Sequence, residues 1–304
     1  MRSARPAWVI AAAMFVFAGP ARGQNRGVYP LGMSAINSGL TAGPGFTYAN
    51  LFLYYSRNES RGPDGELLAT GSNSVLMDMN SFVWVSRKTI LGARYSASAT
   101  IPIANNSLAS DATGSISGGG GFADSYYQPV ILGWMRERFG IRAIYGFLAP
   151  TGRFEAGEFD NVGSGYWTHV LASGQTFYLT EDKRTAVSAF QMYEFHTSQE
   201  GTGVEPGQTI SLDYSVTRLL PLGEGMTLQA GLVGYEQRQT TDKGGPGITP
   251  EQSDARYAVN ALGFAGNLGL PARGLGLGLR YYQEFSNRST YEGYSLQISG
   301  SVAF

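Results

Sequence analysis

The feature that most restricts the fold of this chain is a two-residue rhythm that recurs along nearly its whole length. At the C-terminus Tyr294, Leu296, Ile298, Val302 and Phe304 share one parity, and Ser295, Gln297, Ser299, Ser301 and Ala303 share the other. Successive side chains of an extended strand point to opposite faces, so this segment has one apolar face and one small or polar face. The pattern returns where Leu275, Leu277, Leu279 and Tyr281 alternate with Gly276, Gly278, Arg280 and Tyr282. It returns again where Ile210, Leu212, Tyr214 and Val216 alternate with Ser211, Asp213, Ser215 and Thr217. A strand of a membrane barrel needs this division, with lipid on one side and the lumen on the other. Turn signals divide residues 45–304 into twelve such segments, an even number that returns both ends to one side of a membrane. The expected fold is all-β: a transmembrane antiparallel up-and-down β-barrel of about 12 strands.

The N-terminus carries a different signal. Arg2 and Arg5 precede an apolar run over residues 7–18, then Pro20, Ala21 and Gly23. That order of charged, apolar and small residues is a cleavable secretory leader, expected over residues 1–23 with the cut before Gln24. The run is too short to span a bilayer as a helix, which needs roughly 20 residues. Residues 24–44 then form either a periplasmic segment or a small plug, and residues 45–304 form the barrel. The absence of cysteine removes disulfides and thiolate chemistry, and suits an oxidising compartment. A formal net charge of −1 with scattered arginines leaves no basic field for nucleic acid. The expected location is the bacterial outer membrane, with membrane lipid as the surrounding partner. Short connections alternate with long polar ones, among them 57–73 and 103–121, so short turns are expected on the periplasmic side and long loops outside.

Alternation assigns candidate lumen-lining residues: Arg94, Arg142, Asp213, Arg280 and Gln297 point inward, because a charge facing lipid near the midplane costs about 2–4 kcal/mol. They either line a solute path or pair with one another and fill the interior. Leu262 and Phe264 are expected to add an apolar patch to the lumen wall, although apolar residues occupy both parities of that strand. Phe52, Tyr54, Tyr55, Tyr281, Tyr282 and Phe285 are candidates for aromatic girdles at the membrane edges. The two histidines, His169 and His196, have no nucleophile motif beside them, and Glu155, Glu158 and Asp160 read as a solvated acidic loop. No catalytic residue, metal site or cofactor is expected, although a lipid-acting enzyme and a structural or adhesive surface barrel remain alternatives.

In the centre of the chain, Tyr127-Gln128-Pro129 with Gly133-Trp134, then Ala149-Pro150-Thr151-Gly152, then Gly163 and Gly165-Tyr166-Trp167-Thr168 form an ordered set of motifs. Tyr193-Glu194, Leu212-Asp213-Tyr214 and Gly234-Tyr235 continue it. Together they resemble the meta-pathway phenol-degradation (MetA-pathway) family of outer-membrane transporter-like β-barrel proteins, over roughly residues 45–304. The resemblance implies a channel for passive uptake of small hydrophobic or aromatic compounds, and no catalytic residues. A terminal aromatic at Phe304 likewise resembles the signal read by the outer-membrane barrel assembly machinery, an expected partner.

Overall fold

Hydrocarbon offers backbone amides no hydrogen-bond partners, so strands that cross it must pair on both edges, and the chain does this by closing on itself. The computed structural model describes residues 27–110, 114–158 and 160–304; the leader expected over residues 1–23 and its cut lie outside them. The strands in chain order are β1 (Gly45–Arg61), β2 (Leu67–Ile90), β3 (Ala93–Ser110), β4 (Gly114–Phe122), β5 (Ser125–Met135), β6 (Phe139–Ala149) and β7 (Thr168–Tyr178). They continue with β8 (Thr185–His196), β9 (Thr209–Gly223), β10 (Met226–Gln239), β11 (Ala258–Leu270), β12 (Leu275–Glu284) and β13 (Thr290–Ala303). Pairing is antiparallel throughout, and β1 with β13 makes the closing seam, in continuous register from Thr47↔Ala303 to Arg57↔Gly293. The result is a twelve-strand barrel with one extra strand.

The extra strand is β4, which lies within the connection expected as a loop over 103–121. The lower half of β3 pairs with β5, from Arg94↔Gly133 to Thr100↔Tyr126, and its upper half pairs with β4, from Ile103↔Phe122 to Ser110↔Gly114. β4 and β5 thus lie in line along one neighbour, interrupted at Ala123 and Asp124. Likewise β1 and β2 pair as far as Arg61↔Leu67, well into the connection expected over 57–73. Above the membrane both faces of a hairpin meet water, so its strands persist on backbone hydrogen bonds after the alternation of side chains has gone.

Two of the lower turns are two-residue hairpins with left-handed backbone at both central positions: Leu91 and Gly92 at φ 52° and 73°, Glu224 and Gly225 at φ 48° and 74°. This geometry matches the twist of the flanking strands. Both barrel ends, Gly45 and Ala303, lie on that same side.

Exposed apolar side chains form the outer wall, and aromatic rings edge it in two rows. Phe46, Phe82 and Phe304 meet near the lower rim, with centroids 6.3 Å apart in each contact. Tyr54, Tyr294 and Tyr281 form an upper row at 6.0 and 6.1 Å, continued by Tyr127, Phe147 and Trp167 on the other side of the barrel. From Phe46 to Tyr54 is about 27 Å of strand, or about 20 Å of membrane at a tilt near 40°. Tyr55 and Tyr282 differ from the girdle expectation. Each has inward parity, and their hydroxyls donate to Glu284 Oε1 and Gly32 O.

The inward assignment of Leu262 and Phe264 is also corrected. They are 52% and 58% exposed on the outer face of β11, while Val259 and Ala261 on the opposite parity are fully buried. The inner face of β11 is apolar as well, because it packs in a buried cluster with Ala35 and Ile36 of the N-terminal segment and with Tyr282. Phe264 sits near the middle of its strand, so Phe264→Arg is expected to destabilise the folded barrel by about 2–4 kcal/mol in bilayers. Unfolding in lipid vesicles measures this, and solute flux per folded molecule should stay unchanged; an undisturbed stability would return Phe264 to the lumen.

Candidate functional site: the lumen and its inner segment

Residues 27–44 run inside the barrel, and each level of the wall supplies a partner for their backbone. At the lower end Arg94 Nη1 donates to Ala42 O at 3.2 Å, the Gly39 amide donates to Thr176 Oγ1 at 3.0 Å, and Arg142 Nε donates to Ser38 O at 2.5 Å. The approach is close enough to need missing side chains on the wall. A Cβ on Gly174 would lie 2.0 Å from Ser38 O, and one on Gly140 would lie 2.6 Å from Gly39 O. Midway, Asn37 and Gln229 exchange amide hydrogen bonds at 2.7 and 3.0 Å, Ser215 Oγ donates to Ala35 O, and Gln297 Nε2 donates to Leu31 O at 2.8 Å.

Asp213 is the principal anchor. It is completely buried, and it accepts from the Tyr29 hydroxyl at 2.5 Å and from the amides of Gly32 and Ser34 at 3.0 and 3.1 Å. One carboxylate thereby satisfies two backbone groups that would be costly to bury alone. Higher up, the Tyr29 amide donates to Glu194 Oε1 at 2.9 Å and the Gly27 amide to the Tyr257 hydroxyl at 2.6 Å. Tyr29 packs with Phe190, Met192, Val170 and Ile144 in a second buried cluster.

Apart from Arg94 on β3, these contacts come from the β6–β13 side of the lumen. Two cavities of about 510 and 430 Å³ lie one above the other along β1–β3 and extend across to residues of the opposite wall. Leu53, Val75, Met77 and Pro102 line the upper one, and Leu51, Ser81, Asn267 and Arg280 the lower. Met33, Met79 and Thr100 line both, so the two cavities meet at two flexible thioethers, one on the inner segment and one on β2. Arg280 is thus a lining residue of the lower cavity, and its Nε has no hydrogen-bond partner among the described residues.

A loop over residues 150–167 roofs the upper cavity, where Phe154, Val162 and Gly163 contribute to its lining. The loop is pinned at the interruption between β4 and β5. Asp124 accepts from the amides of Gly152 and Ser164 at 3.0 and 2.8 Å and from Ser164 Oγ at 2.5 Å. Thr151 Oγ1 accepts from the Ser125 amide, and Gln199 Nε2 donates to Ser164 O. The motif at 149–152 therefore has a local purpose: its Thr and Gly fasten the roof to the wall.

Of the other candidates, Glu158 of the acidic loop lines the upper cavity, whereas the two histidines are separated from the passage. His169 faces outward against Tyr145, with rings 13° from parallel. His196 Nδ1 lies 2.8 Å from Thr168 Oγ1 and its Nε2 lies 3.8 Å from Glu194 Oε2, but Thr168 is completely buried. Asp160 pairs with Arg153 at 2.6 Å, and among the described residues no three His, Cys, Asp or Glu side chains are placed to hold a metal. Phe304 is 78% exposed at the seam, where its amide donates to Phe46 O. Alternation could not have identified Met33, Met79 or Asp124, because each matters through a partner supplied by another segment.

The family described as "Putative MetA-pathway of phenol degradation" matches residues 57–299. Among solved structures, the COG4313 outer membrane channel from Pseudomonas putida F1 superposes with a TM-score of 0.72 at 14% identity, covering 88% of this chain and 98% of that one. The β domain of the Bordetella autotransporter BrkA gives a TM-score of 0.52 at 12% identity, covering 86% and 100%. No curated protein matches the chain. The closed barrel with its apolar exterior, together with these outer-membrane relatives in fold, places the chain in the bacterial outer membrane.

Asp124 lies beyond the upper aromatic row. Burial pushes its carboxyl up from the ordinary range, and the Ser164 and Gly152 donors offset this only in part. A raised value in the docked state means that docking of the roof strengthens as pH falls through the carboxylate range and weakens as pH rises through it. Asp124→Ala is expected to free the roof and accelerate proteolytic cleavage within residues 150–167 of the folded barrel, whereas Asp124→Asn keeps an acceptor and most of the protection. Equal cleavage of all three proteins would remove Asp124 from the pinning role.

Proposed function

This chain belongs to the MetA-pathway phenol-degradation family, and on that premise we propose that it is a passive outer-membrane channel for small hydrophobic or aromatic compounds. The observation that carries this reading is the pair of cavities meeting at Met33, Met79 and Thr100 along the apolar β1–β3 wall. A solute enters beneath the roof loop, sheds its water among Leu53, Val75 and Met77, and passes the methionines into the lower cavity. Residues 27–44 act as a plug that fills the rest of the lumen, so the path admits a flat ring and excludes bulk electrolyte.

Magnitudes favour passage over retention. An aromatic ring burying about 150–250 Å² gains roughly 4–6 kcal/mol. Association costs at least about 4 kcal/mol in lost freedom. The occupied state is therefore shallow, and the solute leaves as readily as it enters.

We read the chain as non-catalytic. Glu194 receives the Tyr29 amide and the Thr209 hydroxyl, so the Thr168–His196–Glu194 grouping serves the interior network and lacks an open approach for a substrate. An adhesive role has no particular observation in its favour. Phe304, exposed at the closing seam with its ring tilted against Phe46, fits the role of a signal to the assembly machinery.

Vesicles containing the purified protein should admit phenol-sized neutral compounds and exclude sugars, with no release of fatty acid from their lipid. Met33→Trp with Met79→Trp should lower that flux at least tenfold in barrels that still fold, and Met79→Ala should raise it. Flux indifferent to both sites would end the channel reading along this path. Separately, Phe304→Ala is expected to lower the amount of folded protein in the outer membrane several-fold while leaving flux per folded barrel intact; normal levels with lost uptake would refute the assembly role.

A further inference from the structure

The lipid-facing wall carries one polar group of residues where none is expected. On β1 the outward parity runs Phe46, Tyr48, Asn50, Phe52, Tyr54, and on β2 it runs Trp84, Phe82, Asn80, Asp78, Leu76, in unbroken register across these levels. Asn50 lies directly opposite Asn80, four residues from Phe46 of the lower aromatic row and four from Tyr54 of the upper one. Asn50, Asp78 and Asn80 therefore sit near the middle of the membrane band, on its outside. Exposed Phe52, Phe82, Ile101 and Ile103 surround them. Charged and amide side chains at this depth are costly to leave against hydrocarbon.

The three side chains satisfy one another only in part. Asn50 Nδ2 donates to Asp78 Oδ1 and, at 3.4 Å, to Asn80 Oδ1, which also accepts from the Tyr48 hydroxyl at 2.6 Å. Asp78 Oδ2, Asn50 Oδ1 and the Asn80 amide have no partner among the described residues. What remains is a set of two acceptors and one amide donor, facing outward.

We propose that this patch is an interface at which two copies of this chain pair side by side in the membrane. Depth and donor chemistry select the occupant. A closed symmetric pair of barrels inserted in the same direction is related by a two-fold axis along the bilayer normal, and such an axis preserves the depth of every residue. A second copy thus brings its own patch to the same depth, where Asn50 and Asn80, cross-strand partners, lie closest in level. The Asn80 amide of each copy donates to the Asn50 Oδ1 of the other, and the apolar ring of Phe82, Ile101 and Ile103 closes around the contact.

The chain has no cysteine, so single cysteines report the contact directly. Phe82→Cys and Ile101→Cys flank the patch, and Leu171→Cys lies on the exposed outer face of β7, away from it. Mild oxidation of membranes containing the full-length protein should give a disulfide-linked species of twice the chain mass from at least one flanking site, in at least tenfold excess over Leu171→Cys. Adding Asn50→Leu, Asp78→Leu and Asn80→Leu together should abolish that excess while the folded, heat-modifiable monomer persists. If the triple variant folds poorly, Asn80→Leu alone gives the same reading, because it removes the outward amide together with the Oδ1 that accepts from Tyr48 and Asn50. Equal cross-linking at flanking and distant sites, cross-linking that survives Asn80→Leu, or a cross-link only to a different protein would each overturn the proposal.

Discussion

Every other feature of this molecule depends on satisfying backbone hydrogen bonds where water is absent. An open sheet would leave two edges of amides and carbonyls in hydrocarbon, each group costing several kcal/mol. Antiparallel pairing of β1 with β13 removes both edges. Closure fixes which parity of every strand meets lipid, and so turns a one-dimensional rhythm into an inside and an outside.

Closure also creates an interior that must be filled or wetted. Here the filling is the protein's own N-terminal segment, and polar wall residues hold it through its backbone. The asymmetry of that docking gives the lumen its character. Where Asp213, Arg142, Gln297 and Glu194 grip the segment, nothing can pass. Where Leu53, Met77 and Met79 face it without gripping, a greasy slot remains.

The outer face was the legible part of the sequence. In β13 and β12 the inward residues are serines, glycines and polar groups, so parity separates the faces cleanly. Asp213 and Gln297 could be assigned inward on that ground alone, but their partners, the Tyr29 hydroxyl and Leu31 carbonyl, lie far off in the chain. β11 misled for a physical reason. Its inner residues Val259, Ala261 and Ala265 pack against Ala35 and Ile36 instead of water, so both faces are apolar and the larger side chains are the ones in lipid. β4 was hidden for the opposite reason, since a strand above the membrane needs no apolar face, and its Ser-Gly sequence reads as a loop.

The docked segment has a consequence for how quickly the molecule can be made. The residues that emerge first from synthesis hold strands that emerge last: Gln297 meets Leu31 across 266 positions and Tyr282 meets Gly32 across 250. Contacts of such sequence separation form only after nearly the whole chain is available, and topologies rich in them fold slowly. Hairpins such as those at Leu91 and Glu224 can close early, but the interior cannot pack until the final strands arrive. Folding of this barrel is therefore timed by its last strands, and until they arrive the N-terminal segment lacks part of its binding site.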